Sequence, residues 1–308
     1  MRQGLDRRYH LELRLSGRVA YAEHFIAAAD GVRLYARDYA AGTHNRTPIV
    51  CLPGLTRNSK DFETMAPHLA RSRRVICPDF RGRGRSERAD PSTYRPDAEL
   101  ADTLAVLDRL GIHRVAILGT SRGGIVAMVM AAKALDRMAG AAFNDIGPKI
   151  DKRGLLRIRS YLGTDPAFAD WRQAVTALKA TNPGFPTLTE DEWMAFARRV
   201  FRDENGMPRA DYDPGLTQNF PTIAEIEAAE APELWGLLDL MAEIPSLVLR
   251  GENSDLLSAE TVHEMQRHHK GMSAVTVAGR GHVPFLDEPE SVAAIDQWIA
   301  TVDAREQR

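Results

Sequence analysis

The chain has 308 residues, 44% of them hydrophobic, and carries 40 Lys and Arg against 42 Asp and Glu, a formal net charge of -2. This length and apolar content suffice for a full core, as one large domain or one domain with an insertion, and the charge balance excludes the basic field that attracts nucleic acid. No run of about eighteen apolar residues is present to span a membrane, and the charged start MRQGLDRRYHLELRLSGRVAYAEHF lacks the apolar stretch of a secretory leader, so a cytoplasmic protein is expected.

In chain order, HFIAAADGVRLYARDYA reads as a hairpin turning at Asp30-Gly31. PIVCLPG and RRVICPDF are short apolar runs bounded by Pro and Gly, with helical spacing in SKDFETMAPHLA between them. Cys51 and Cys77, one in each run, are expected to be inert buried hydrophobes, with no disulfide framework and no Cys-based metal site. The short Arg clusters RSRR and RGRGR read as solvated loop or strand-edge charge. PDAELADTLAVLDRLG sets Leu100, Leu104, Leu107 and Leu110 on one helical stripe, with acids early and Gly111 at its end. RVAILGT then enters GTSRGG and the helical segment IVAMVMAAKAL. Strands alternating with helices of this length imply an α/β fold, a mostly parallel central sheet with helices on both faces.

The alternation stops after AGAAFNDIG, and the chain turns to aromatic, Pro- and Gly-rich segments with helical patches such as WMAFARRVF. A stretch this long without a clear strand is too long for a loop and reads as an inserted helical cap over one end of the sheet. Alternation resumes with IPSLVLRG, SAETVHEMQRHH, SAVTVAG and ESVAAIDQWIATV. The expected organisation is an N-terminal extension over 1–23, the α/β core over 24–147 and 232–308, and the cap over 148–231. Two roles suit the cap aromatics, Trp193 among them: lining a pocket, or forming the cap's own small core.

GTSRGG places Ser121 between close-set glycines where a strand turns into a helix, a position that can hold a side chain strained and exposed. A serine hydroxyl is a weak nucleophile until a base takes its proton, and the base works best when a carboxylate fixes its tautomer. Asp255, in ENSDLL, and His282, in GRGHVPF, each follow a resumed strand at the end of the sheet where open α/β folds place their sites. His263, His268 and His269 lie on a polar helix and are expected to be exposed; His113 precedes a strand, His68 fits a helix end, and His10, His24 and His44 lie far upstream and fit no strand-end loop of this half.

The order Ser121, Asp255, His282, together with GTSRGG, PDFRGRGRS and CLPGLTRNS, resembles the α/β-hydrolase superfamily over nearly the whole chain from about residue 24. The resemblance implies that Ser121 attacks a carbonyl carbon, His282 is base and then acid, Asp255 orients His282, and the backbone N–H groups of Leu55 and Arg122 form the oxyanion hole. Pro53-Gly54 stands where His-Gly is frequent in the family; the donor after it is a backbone group and is expected to survive the change. Some hydrolases of this resemblance take the acid from an earlier strand, which makes Asp145 in FNDIGP the rival of Asp255. A guanidinium at Arg122 needs a partner, with Asp145 or Asp79 as candidates; the alternative has Arg122 and Arg57 binding a substrate carboxylate in the pocket. Arg57, Trp193 and Val283 are the expected pocket residues.

Serine at the turn argues against haloalkane dehalogenases and epoxide hydrolases of similar fold, which carry Asp there, and against dienelactone hydrolases, which usually carry Cys. Carbon–carbon bond hydrolases of ring-cleavage products also use Ser, but resemble a pattern with Trp soon after the histidine, where this chain has Val-Pro-Phe-Leu. The resulting expectation is a serine hydrolase acting on a small-molecule carboxylic ester or lactone, with no metal or organic cofactor, no nucleic acid and no membrane partner. Ring-cleavage hydrolysis and a non-catalytic binder or receptor of the same fold are the alternatives.

Overall fold

The computed structural model describes residues 14–16, 19–39, 46–164, 166–229 and 233–307. His10, His44 and most of the expected N-terminal extension lie outside the described residues. In chain order the elements are β1 (Arg14–Ser16), β2 (Val19–Ala27), β3 (Arg33–Tyr39), β4 (Ile49–Leu52), α1 (Met65–Leu69), β5 (Val75–Pro78), α2 (Pro96–Arg109), β6 (Val115–Thr120), α3 (Arg122–Lys133) and β7 (Met138–Asn144). There follow α4 (Lys152–Tyr161), α5 (Trp171–Thr181), α6 (Glu190–Val200), β8 (Phe201–Glu204), β9 (Met207–Ala210), α7 (Ile223–Ala228) and α8 (Trp235–Asp239). The chain closes with β10 (Ser246–Gly251), α9 (Ala259–His268), β11 (Ser273–Val277) and α10 (Pro289–Glu306).

The main sheet has the order β1-β2-β3-β5-β4-β6-β7-β10-β11. β2 and β3 are antiparallel around the Asp30-Gly31 turn, where Gly31 takes φ +88°, and β3 runs antiparallel to β5. From β5 to β11 every pairing is parallel. β2 begins at Val19, so the sheet takes in part of the segment expected to precede it.

Period-two alternation in the strands feeds two cores. Val50, Leu52 and Ile117 pack with residues of α2, α3, α8 and α9 on one face. Ile49, Cys51, Ala116 and Leu118 pack with residues of α1 and α10 on the other. Both cysteines are buried and free, and burial pushes the Cys51 thiol well above its ordinary range. α2 starts on Pro96 and ends with Gly111 at φ +70°, whose neighbour Ile112 donates back to Leu107 O at 2.9 Å, a glycine-dependent helix stop.

The segment between β7 and β10 holds α4–α8 and, contrary to the strand-free expectation, the antiparallel hairpin β8–β9. Four-residue strands such as FRDE and MPRA, of which only the second alternates in burial, are too short a signal to separate from a loop. Phe185, Trp193, Phe196 and Phe201 form this segment's own cluster and close on Phe285 of the loop after β11. The end of β9 is tied to the core: Gly84 N–H donates to Asp211 O at 2.9 Å, Asp213 N–H donates to Gly82 O at 2.7 Å, and Lys60 Nζ lies 2.8 Å from Asp211 Oδ2.

Candidate active site

Ser121 sits between β6 and α3 with φ 49°, a left-handed conformation that is costly for a residue with a side chain and is held here by its surroundings. Its N–H donates to Asn144 O at 3.0 Å, and its carbonyl accepts from Gly124 N–H at 2.9 Å. The flanking glycines are required by close packing. A Cβ on Gly123 would collide with the Leu52 carbonyl, and one on Gly119 would lie 2.6 Å from the Gly123 backbone.

His282, on the loop after β11, lies 2.9 Å through Nε2 from Ser121 Oγ and 2.7 Å through Nδ1 from Asp145 Oδ2. Two further donors fix the carboxylate, Gly251 N–H to Oδ1 at 2.7 Å and the Ser254 hydroxyl to Oδ2 at 2.6 Å, and the Asp145 backbone N–H donates to Leu249 O at 2.8 Å. An ionised carboxylate only accepts, so Nδ1 carries the ring proton and Nε2 is left to accept from the serine hydroxyl. Asp145 is fully buried and the His282 side chain is 8% exposed. Asn144 braces the same loop, donating through Nδ2 to Pro284 O at 3.0 Å and Thr120 Oγ1 at 3.1 Å.

The carboxylate that the structure sets against His282 is therefore Asp145, not the expected Asp255. β7 lies directly beside β6 in the sheet, and Asp145 follows it immediately, with φ 56° turning the carboxylate toward His282. Asp255 lies four residues past the end of β10 and is gripped instead by Arg157 of α4, Nε to Oδ2 at 2.6 Å and Nη2 to Oδ1 at 2.9 Å. Burial opposes ionisation of Asp255, but the hydrogen bonds and charge of Arg157, with a smaller contribution from His282, hold its carboxyl below the usual range.

Arg122 forms a salt bridge, but with neither expected partner: Nε donates to Glu99 Oε2 at 2.6 Å and Nη2 to Tyr94 O at 3.2 Å. Asp79 is occupied by the N–H groups of Ser59 and Arg85. Glu99 is fully buried and also accepts from Arg83 Nη2 at 2.7 Å, while Arg83 Nε donates to Leu55 O at 2.8 Å. Arg83, like Arg73 and Arg81, is buried and ion-paired, contrary to the expectation for these clusters, whereas Arg71 and Arg85 are exposed as expected. One carboxylate thus links the residue after the serine to the Leu55 loop. The backbone N–H groups of Leu55 and Arg122 have no protein acceptor among the described residues.

A cavity of about 420 Å³ opens on Ser121 and His282. Leu55, Arg57 and Val283 line it; Trp193 does not, being buried in the inserted segment's cluster with its ring 6.2 Å from Phe185. His269, expected to be exposed, is buried and pairs through Nε2 with Ile244 O at 2.9 Å. Among the described residues no cluster of three or more His, Cys, Asp or Glu side chains could hold a metal ion, and no helix is long and apolar enough to cross a membrane.

Comparison with known proteins places these features. The sequence profile of the alpha/beta hydrolase family matches residues 49–295. The chain is 34% identical over 261 residues to a 3-hydroxybutyrate-oligomer hydrolase of Cupriavidus necator, covering 83% of this chain and 89% of that one. It is 27% identical over 252 residues to a 2-hydroxymuconate semialdehyde hydrolase of a Pseudomonas species, covering 76% and 78%. A crystal structure of an alpha/beta hydrolase from Novosphingobium aromaticivorans superposes with a TM-score of 0.85 at 41% identity, covering 92% of this chain and 99% of the other.

Proposed function

The chain belongs to the α/β-hydrolase family, and from that premise we propose that it hydrolyses a carboxylic ester through an acyl-enzyme formed on Ser121. The observation that carries this reading is the unbroken hydrogen-bonded chain Ser121–His282–Asp145 at the cavity floor. Ser121 Oγ attacks the ester carbonyl as its proton passes to His282 Nε2, and buried Asp145 stabilises the imidazolium without taking its proton. The N–H groups of Leu55 and Arg122 receive the oxyanion, a charge present only near the transition state, so their hydrogen bonds lower the barrier rather than the ground state. His282 then protonates the departing alkoxide, and water activated by the same nitrogen releases the acid. The inserted segment serves as a lid whose wall selects the substrate. The name of the Cupriavidus relative supports an ester built from hydroxy acids as the substrate type.

Intact-mass spectrometry after treatment with a small phosphonofluoridate, beside turnover of p-nitrophenyl esters and lactones of graded length, tests the reading. A single adduct on Ser121, absent in Ser121→Ala, with ester turnover is the expected result. Labelling without turnover of any ester would reject the ester assignment while retaining an activated serine.

A further inference from the structure

Three guanidinium groups line the cavity, on Arg57, Arg157 and Arg199. Two are neutralised by carboxylates. Arg57 Nε lies 3.1 and 3.0 Å from the two oxygens of Asp61, and Arg157 grips Asp255 with two donors. Arg199, on α6 of the inserted segment, differs. Among the described residues its guanidinium makes no hydrogen bond. The carboxylate nearest to it in an ion pair, Asp287, stands 3.7 Å away, and the Phe285 ring centroid is 4.5 Å from its central carbon. Burial pushes the Arg199 group below the ordinary arginine value; Asp61 and Asp287 only partly offset this, and the charge of Arg57 adds to it.

A guanidinium withdrawn from water with its N–H donors open is an unfinished anion site. Much of the remaining wall is apolar, with Ile158, Phe168, Leu178, Val200 and Phe201 prominent in it. One fork of parallel donors above an aromatic ring matches the two oxygens of a carboxylate. A phosphate dianion would require more donors than Arg199 alone provides. We propose that Arg199 binds a free carboxylate of the substrate, so that the preferred ester carries, besides the carbonyl attacked by Ser121, a terminal carboxylate on an apolar spacer. The proposal rests on the reading of Ser121 as the nucleophile of an ester hydrolase.

The experiment compares kcat/KM for mono-p-nitrophenyl esters of dicarboxylic acids, from succinate to sebacate, with the same esters capped by methyl at the far carboxyl. The free acids should be favoured roughly ten- to a hundredfold at the spacer length that fits, the worth of a charge-assisted pair. Arg199→Gln should bring that ratio close to one, and Arg199→Lys, which keeps the charge but not the fork, should fall between. Arg198→Gln, an exposed neighbour on the same helix, controls for helix and surface charge and should leave the ratio in place. A wild-type ratio at or below one at every length, or an unchanged ratio in Arg199→Gln, overturns the proposal. Calorimetric binding of the free and capped esters to Ser121→Ala, with and without Arg199→Gln, separates the two readings. If no ester is turned over, carboxylate-dependent binding lost with Arg199 upholds the anion site while the ester reading fails. Equal binding of free and capped esters rejects the anion site itself.

Discussion

Asp145 and Asp255 are both carboxylates beyond the ends of neighbouring strands, and their environments assign them opposite work. Asp145 accepts from Gly251, Ser254 and His282, and among the described residues no Lys or Arg is paired with it, so its negative charge is available to an imidazolium. Asp255 already has its charge balanced by Arg157. Asp145→Asn should therefore lower kcat by about 10³–10⁴-fold through loss of the correct His282 tautomer, with the protein still folded by circular dichroism. Asp255→Asn should lower kcat by less than about tenfold, because His282 keeps its partner. A larger loss in Asp255→Asn than in Asp145→Asn would reverse the assignment. That Ser121 and His282 would meet was legible, because each stands in a glycine-containing turn following an apolar run. The choice between the two acids was not, because a linear pattern carries no information on which strand lies beside β6; the sheet order decides it.

At the scale of elements, α2 contributes to the site without reaching the cavity. Its first turn carries Glu99, an acid that in sequence reads as a favourable helix-dipole residue but is fully buried between Arg83 and Arg122. Desolvation alone would raise the Glu99 carboxyl, and the charges and hydrogen bonds of the two arginines overcome it, leaving the group below its ordinary value. A depressed folded value means the stabilisation is fully present above the unfolded glutamate range, about pH 4.3, and is lost as pH falls through the lower folded value. Thermal stability should accordingly show no Glu99 contribution to its slope between pH 7 and pH 5, and an acid limb below about pH 4. Glu99→Gln should flatten that limb. It should also cost about 3 kcal/mol or more by leaving two buried guanidinium groups short of charge. Because Arg83 holds the Leu55 carbonyl and Arg122 follows Ser121, the same variant should lower kcat by about 10²-fold with a smaller change in KM, the signature of a disturbed oxyanion hole. Steady-state kinetics at a temperature where the variant remains folded reads this directly; an unchanged kcat would show that the two N–H groups are placed without Glu99. In sequence only Arg122 read as needing a partner, while Arg83 read as solvated charge; their shared partner Glu99 stands beside Leu100 at the start of the leucine stripe, and only the folded register brings it between them.

Across the whole molecule, chemistry and stability are divided between the ends and faces of one sheet. Ser121, Asp145 and His282 all lie beyond the ends of parallel strands β6, β7 and β11, as the alternation of strands and helices implied, and residues of the segment between β7 and β10 line the cavity that opens on Ser121 and His282. That the alternation breaks between β7 and β10 was legible; the place of the segment's aromatics was not, since Trp193 and Phe196 are compatible in sequence with a pocket wall and with a small core, and the structure puts both in the segment's own cluster while Phe196 also reaches the cavity. Among the described residues of the cluster packed under α10, only Leu286 reaches the cavity. There Trp298 is buried against β7 at Gly140, where an added Cβ would come 3.2 Å from the indole and 2.5 Å from Val302, and its Nε1–H donates to Pro245 O at 2.9 Å. Trp298→Ala removes the largest side chain of that contact and one of two donors to the Pro245 carbonyl, which keeps the Ala141 N–H at 3.1 Å, so the lost packing should cost about 3–5 kcal/mol. For a chain of this size that corresponds to a fall in Tm of roughly 5–15 °C. The substitution lies on the side of the sheet away from α2 and α3, so kcat for a neutral ester at 25 °C should stay within about twofold of wild type. Differential scanning calorimetry and ester kinetics on the same preparation read both quantities. A Tm loss accompanied by a proportional loss of kcat would mean that the strand ends are not rigid against the α10 face, and that the site depends on the packing of the entire sheet.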